Sequence, residues 1–173
     1  MDTLEHQSCP LCHKKTLTLT EEETDVPFFG RAYLFSMRCS SCGYFISDIE
    51  AEQERDPVKY TLEINNESDM KIRIVKSSNA TVRFKELKMS MEPGSSSTGF
   101  ITNVEGLLER FKQIIEQERD SNDDEDVREN AKRLLKKIWK IKLGDNNTTL
   151  IIEDPGGNSA IISEKAKVEK LKK

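Results

Sequence analysis

Cys9-Pro10-Leu11-Cys12 and Cys39-Ser40-Ser41-Cys42 decide how this chain is read, because they hold its only four cysteines. Each Cys-x-x-Cys pair can form a tight knuckle that aims two sulfurs at one point. Two knuckles together supply the four tetrahedral thiolates of a closed structural Zn²⁺ site, with bonds of about 2.3 Å. Gly43 directly follows the second knuckle, where a residue without Cβ lets the chain turn while backbone N–H groups face sulfur. The 26 residues between the pairs exceed the commonest ligand spacing, so the insert must hold ordered structure. Disulfides are disfavoured: Met1 to Ser8 is polar, nothing there resembles a signal peptide, and no apolar run approaches a membrane span. A thioredoxin-like motif needs one pair at the start of a helix in a βαβ unit, whereas two matched pairs lie here in β-like surroundings. A four-thiolate iron–sulfur cluster stays open as the alternative centre.

Working outward from the knuckles, Thr16 to Thr20 alternates threonine and leucine, a half-buried strand signal. Glu21, Glu22, Glu23, Thr24 and Asp25 read as an acidic loop ending at Val26-Pro27. Phe28, Phe29, Tyr33, Leu34, Phe35 and Met37 then give a second strand leading into Cys39, and Tyr44 to Ile49 a third. Such an order predicts a zinc ribbon over residues 1–50, in which the metal replaces the core that so short a segment cannot build.

The remaining residues, 51–173, suffice for a domain of ordinary size. Tyr60 to Ile64, Met70 to Val75 and Thr81 to Leu87 alternate apolar and polar residues between polar turns, which suggests a sandwich or barrel-like double sheet. Glu92 to Gly99 is rich in Pro, Gly and Ser and reads as a loop; it suits either a connector or a backbone cradle for an anion or carboxylate. Thr102 and Glu105 fit a capping box. After it Val104, Leu107, Leu108, Phe111, Ile114 and Ile115 form one apolar helical stripe, and Val127, Ala131, Leu134, Leu135 and Ile138 form another. This predicts a helical hairpin inserted at about 104–143. Residues 116–129 contain eight acids and two bases, and residues 130–143 six bases and no acid. That sorting suits the dipole of the second helix, or a basic partner-facing surface of Lys132, Arg133, Lys136, Lys137 and Lys140 with Trp139 as anchor or core. Thr148 to Ile152 and Ser159 to Ile162 read as strands joined by a hairpin turn at Asp154-Pro155-Gly156-Gly157, with the Asn158 side chain suited to bonding local backbone. The Lys-rich tail from Ser163 reads as a frayed helix or disorder.

These residues carry a resemblance. Val26-Pro27-Phe28-Phe29-Gly30 and Phe35-Ser36-Met37-Arg38 running into Cys39-Ser40-Ser41-Cys42-Gly43-Tyr44 resemble the finger of the ZPR zinc-finger family. Glu92-Pro93-Gly94-Ser95 with Thr102-Asn103-Val104-Glu105-Gly106-Leu107-Leu108 is similar to that family's second-domain signature, and Asp154-Pro155-Gly156-Gly157-Asn158-Ser159 to its closing motif. The resemblance implies a double-stranded β-helix, jelly-roll-like, for residues 51–173, so that the expected fold class is mainly β with an α-helical insertion behind a zinc ribbon. It also implies a single finger-plus-domain module, against two in eukaryotic members, acting alone or as a homodimer that mimics them.

Function follows in the same order. The formal net charge of −4 and a pI near 5.4 argue against nonspecific binding to phosphate backbones. A jelly-roll oxygenase needs two histidines and a carboxylate, yet the only histidines are His6 and His13, beside the first knuckle. With all cysteines committed to metal, no thiol nucleophile remains, and a closed zinc site activates no water. The chain is therefore expected to be a binding protein with one structural Zn²⁺ on Cys9, Cys12, Cys39 and Cys42. The resemblance implies a cytoplasmic protein that binds translation elongation factor 1-alpha, a GTPase, and assists its folding. Glu92, Pro93, Gly94, Ser95, Asp154, Pro155, Gly156 and Asn158 are the partner-binding residues that this implies. The alternative is a nucleic-acid-binding zinc ribbon using Lys14, Lys15, Arg38 and the basic helix.

Overall fold

The computed structural model describes residues 1–26, 30–52 and 55–171. The first module is an antiparallel meander of four strands in spatial order β1 (Asp2–Gln7), β2 (Leu17–Val26), β3 (Gly30–Cys39) and β4 (Phe45–Ala51). The knuckles sit between β1 and β2 and between β3 and β4. The expected acidic loop is instead the second half of β2: Glu21 to Asp25 pair residue by residue with Phe35 to Arg31. A run of acids is compatible with a strand whose outer face meets water. β1 is a further strand whose polar sequence hid it; all six of its residues are exposed. Pro27, Phe28 and Phe29 lie outside the described residues.

The second module is a jelly-roll of two antiparallel sheets. One has the order β12-β5-β10-β7-β8, built from Lys167–Lys170, Val58–Ile64, Thr148–Asp154, Thr81–Phe84 and Met89–Met91. The other, β11-β6-β9, is built from Ala160–Ile162, Arg73–Lys76 and Phe100–Asn103. Met70 and Lys71, expected in a strand, belong to a 3₁₀ turn (Glu67–Lys71) whose entry is capped by Asn66 Oδ1 accepting from the Asp69 N–H. β7 stops at Phe84, before the expected Leu87, because the chain turns at Lys85, whose carbonyl accepts from the Lys88 N–H. The tail is not frayed over its described residues: β12 pairs with β5 from Lys167↔Thr61 to Lys170↔Val58.

Helices α1 (Val104–Ser121) and α2 (Glu125–Lys142) lie between β9 and β10. The cap of α1 is Asn103, not Thr102: its Oδ1 accepts from the Gly106 N–H at 2.7 Å, the bond preferred at this position. Val104, Leu107, Leu108, Phe111 and Ile115 are buried, while Ile114, at the edge of the stripe, is half exposed. The Phe111 ring meets Phe84 of β7 edge-on with centroids 5.2 Å apart, fastening the hairpin to the larger sheet. Ala131, Ile138 and Ile141 fill the same core from α2. Trp139 is 60% exposed and is not core.

The two modules share a smaller apolar cluster. Val26, Ala32 and Ile49 of the ribbon pack on Val75 and Ala160 of the smaller jelly-roll sheet, with Leu34, Tyr60 and Ile162 around them. The Gly99 N–H, at the end of the Ser-rich loop, donates to Asp48 Oδ1 of β4. One face of the ribbon sheet is thereby committed to the jelly-roll, and the other is left open.

Candidate metal centre and motif loops

The knuckles fold as the spacing dictates. The His13 N–H donates to the Cys9 carbonyl at 2.9 Å and the Gly43 N–H to the Cys39 carbonyl at 3.1 Å, so each Cys-x-x-Cys closes in one turn. Both closing residues have positive φ, 59° at His13 and 74° at Gly43. His13 thus occupies the geometric equivalent of a glycine, and its role is to complete the turn. The Cys9 N–H to Lys14 carbonyl and Cys39 N–H to Tyr44 carbonyl bonds hold the bases of the two loops.

All four sulfurs lie within 4.8 Å of one another, and the Cys9–Cys42 and Cys12–Cys39 pairs are each 3.7 Å apart. A tetrahedron with metal–sulfur bonds of about 2.3 Å has edges of about 3.8 Å, so the cluster fits one structural Zn²⁺. Cys9 and Cys39 are buried beside Leu17, with Leu19 and Tyr44 against them. The Thr16 hydroxyl, 3.3 Å from Cys39 Sγ, favours the thiolate and lowers that thiol to about 6. On Cys42 the Tyr44 backbone N–H also favours the thiolate, but desolvation and the three neighbouring sulfurs outweigh it and push the thiol up to about 12. Four sulfurs this close cannot all hold negative charge unaided; a divalent cation relieves the repulsion. Thr16 was not singled out in the sequence, although a hydroxyl opening the strand after a knuckle is a readable signal.

The two jelly-roll motifs leave the same end of the larger sheet. Glu153 of β10 pairs with Thr81 of β7, and Met91 of β8 pairs with the next residue, Val82. Glu92 to Ser95 and Pro155 to Asn158 therefore emerge two strand spacings apart, about 10 Å. Glu92, Pro93, Gly94, Ser95 and Pro155 are exposed, Gly156 and Asn158 partly so. Asp154 is completely buried. Its Oδ2 accepts from the Ser77 hydroxyl at 2.8 Å and the Ser159 hydroxyl at 2.6 Å, and its Oδ1 from the Gly156 N–H at 2.8 Å. The expected hairpin is not formed: β10 and β11 belong to different sheets, and the turn passes the chain between them. Gly157 is required here, having φ 69° and a position where a Cβ would come 2.3 Å from the Asp56 carbonyl. Asn158 Oδ1 does not bond local backbone; it is buried without a hydrogen-bond partner among the described residues.

Lys76 is 1% exposed, although lysine ordinarily faces solvent. Its Nζ donates to the Ser77 carbonyl at 2.9 Å and lies 5.6 Å from the Phe100 ring centroid. Burial pushes this ammonium below its usual range, and attraction to Asp154 and Asp48 opposes that only in part. Lys132, Arg133, Lys136 and Lys137 of α2 are exposed and Lys140 is partly so, while Lys142 turns inward to Glu105 and Glu109 of α1 at 3.0 and 3.4 Å. No helix among the described residues is long and apolar enough to cross a membrane.

Family comparisons agree with this architecture. Residues 3–55 match the ZPR1 zinc-finger domain and residues 68–173 the ZPR1 jelly-roll domain. An uncharacterized ZPR1-like protein of Pyrococcus horikoshii is 40% identical over 95% of this chain and 76% of its own length. Another from Methanocaldococcus jannaschii is 36% identical over 99% of this chain and 91% of its own. The zinc finger chaperone zpr1 of Schizosaccharomyces pombe is 31% identical over 87% of this chain but only 34% of its own length, so this chain spans about a third of that protein. A closed four-sulfur centre and a jelly-roll carrying a helical hairpin, matched by both domain models in that order, make this chain a member of the ZPR1 zinc-finger family.

Proposed function

We propose that this chain is a cytoplasmic binding protein, not an enzyme, whose partner is translation elongation factor 1-alpha and whose task is to assist that factor's folding or assembly. The observation that carries this reading is the family membership together with a fission yeast relative named a zinc finger chaperone. The layout supports it: both motif loops leave one end of the larger sheet, where Glu92 to Ser95 and Pro155 present exposed backbone and small side chains. Asp154, being buried, contributes by holding the second loop in shape and not by contact. Histidine and cysteine are absent beyond Cys42, which leaves the jelly-roll without the ligands or nucleophiles that metal or thiol chemistry needs.

The test is cell-free synthesis of translation elongation factor 1-alpha with the zinc-loaded chain added or omitted, scoring the soluble fraction that binds GTP. The expected result is a several-fold rise with the chain present and none with a Cys39→Ser, Cys42→Ser double variant. An unchanged yield of GTP-binding factor, with no complex on gel filtration, would overturn the proposal. Retention of RNA in place of the factor would favour the nucleic-acid reading, for which the exposed lysines and arginine of α2 are the specific observation.

A further inference from the structure

The open face of the ribbon sheet carries features that the metal site does not explain. The strand register places Leu4 of β1, Leu19 of β2, Met37 of β3 and Ile46 of β4 in one row across all four strands. Side chains directly opposite in paired strands share a face, and this row lies on the face opposite Val26, Ala32 and Ile49, which pack on the jelly-roll. Leu4 is 62% exposed, Met37 37% and Ile46 36%. A groove of about 230 Å³ runs among Leu4, Leu19, Phe35 and Met37. The row spans about 14 Å, three inter-strand spacings. Water-facing strand positions ordinarily take polar residues, so an apolar row here calls for an occupant.

Charge identifies the chemistry of that occupant. Residues at every second position share this face, so the strand formed by the acidic run presents Glu21, Glu23 and Asp25 beside the apolar row, with Asp2 across from Glu21. Glu50 of β4 adds a further exposed acid. Among the described residues the single base on this face, Arg31, is already paired with Glu23 at 2.9 Å and with Glu52 at 3.6 Å. Apolar side chains bordered by carboxylates repel phosphate backbones and anionic lipid, and a second copy of the same face would set acid against acid. What complements them is a protein segment of apolar residues flanked by lysine or arginine.

We propose that the open face of the zinc ribbon, centred on Leu4, Leu19, Met37 and Ile46, is a docking surface for a basic, amphipathic segment of a partner protein. This deepens the reading of the chain as a protein-binding factor and rests on it, though not on the identity of the client. The zinc site then has a clear purpose: the ribbon has little apolar core of its own, and metal lets it hold large apolar side chains in water on a rigid sheet.

The experiment has two arms, both on the full zinc-loaded chain. In the first, the isotope-labelled protein is titrated with a peptide alternating lysine and leucine over about 10 residues, the length of a strand, and with its glutamate–leucine counterpart. Expected are amide shifts centred on Leu4, Leu19, Met37 and Ile46 with the lysine peptide alone, and at least tenfold weaker binding by a Leu4→Ser, Met37→Ser double variant. Both positions are exposed, so the variant should keep its zinc and its circular dichroism. Shifts centred on residues 116–126, the other acid-rich stretch, would show that the peptide follows charge alone and would overturn the proposal, as would no shifts on the ribbon. In the second arm purified translation elongation factor 1-alpha replaces the peptide. Tenfold weaker capture by the double variant supports this face as the client's site, and equal capture by both proteins refutes it. If even the native chain captures no factor, the proposed client is wrong, and the peptide arm decides the docking surface by itself.

Discussion

The buried carboxylate of Asp154 offers the sharpest test of how the closing motif works. An Asp154→Asn substitution keeps the shape but replaces one oxygen with an –NH2 that can only donate. Oδ2 accepts from two hydroxyls and Oδ1 from the Gly156 N–H, so an –NH2 at the Oδ1 position faces a fixed donor, and one at the Oδ2 position forces both serine hydroxyls to turn from donating to accepting. Hydrogen bonds to a charged acceptor contribute about 1.5–3 kcal/mol each and are not additive. The substitution also removes one of the two carboxylates, Asp154 and Asp48, that attract the buried Lys76 ammonium. Losing one such bond to a charged acceptor costs about 1.5–3 kcal/mol, which for a chain of this size lowers the melting temperature by about 3–12 °C. Lys76→Met should be destabilising too, because Asp154 loses the buried cation it attracts. The double variant Lys76→Met, Asp154→Asn should be more stable than the sum of the two losses predicts by at least about 1 kcal/mol, since neither residue is left alone. Urea titration of the zinc-loaded proteins, followed by helical circular dichroism, measures all three. Additivity within about 0.5 kcal/mol would refute the coupling and reduce Lys76 to a packed side chain.

Other expectations follow from the same geometry. Asp69 is 2% exposed; burial opposes its ionisation, but the Asn65 N–H and the Lys165 ammonium outweigh that and hold its carboxyl below the usual range. Its folded value being depressed, it stabilises above the ordinary carboxylate range and the contribution is lost as pH falls through the folded value. An Asp69→Asn variant should therefore lose less stability on acidification than the native chain, and parallel acid limbs in urea midpoints would contradict this. Gly43→Ala should cost about 1–2 kcal/mol through its positive φ, since no atom lies within 4 Å of the added Cβ; His13→Gly, relieving the matching turn, should be neutral or stabilising, and melting curves decide both. Removing zinc with a chelator should abolish amide protection in β1 to β4 while the jelly-roll core keeps its own. Simultaneous loss of both would show that the shared cluster around Ile49 and Val75 makes them one cooperative unit.

Much of this was legible because cysteine spacing and helical periodicity are local signals. Two Cys-x-x-Cys pairs fix the metal centre whatever the intervening chain does, and the stripes of α1 and α2 need only one apolar face each. What failed were inferences from polarity. Glu21 to Asp25 looked like a loop because acids favour water, yet a strand with one open face satisfies that preference equally. The lysines of β12 suggested disorder, although an edge strand accommodates lysine well. The Asp154 turn suggested a hairpin because local sequence cannot say that its flanking strands serve different sheets. Lys76 and Asp154 were opaque for the same reason: beside near neighbours in sequence, Lys76 meets Phe100 and Asp154 meets Ser77, and only the folded sheets bring these distant groups in.

The place of β10 in the larger sheet bears on how the protein is made. Leu150 pairs with Leu62, 88 residues earlier, and with Phe84 on its other side, so the central strand leaves the ribosome well after both of its partners. The ribbon can close on zinc once residue 51 has emerged, whereas β5 and β7 must wait, through synthesis of the whole helical hairpin, for the strand that separates them. Late long-range pairing of this kind slows folding. Until β10 and β11 arrive, the ribbon's Val26, Ala32 and Ile49 and the inner faces of β5 and β7 remain uncovered, a window in which aggregation competes with folding.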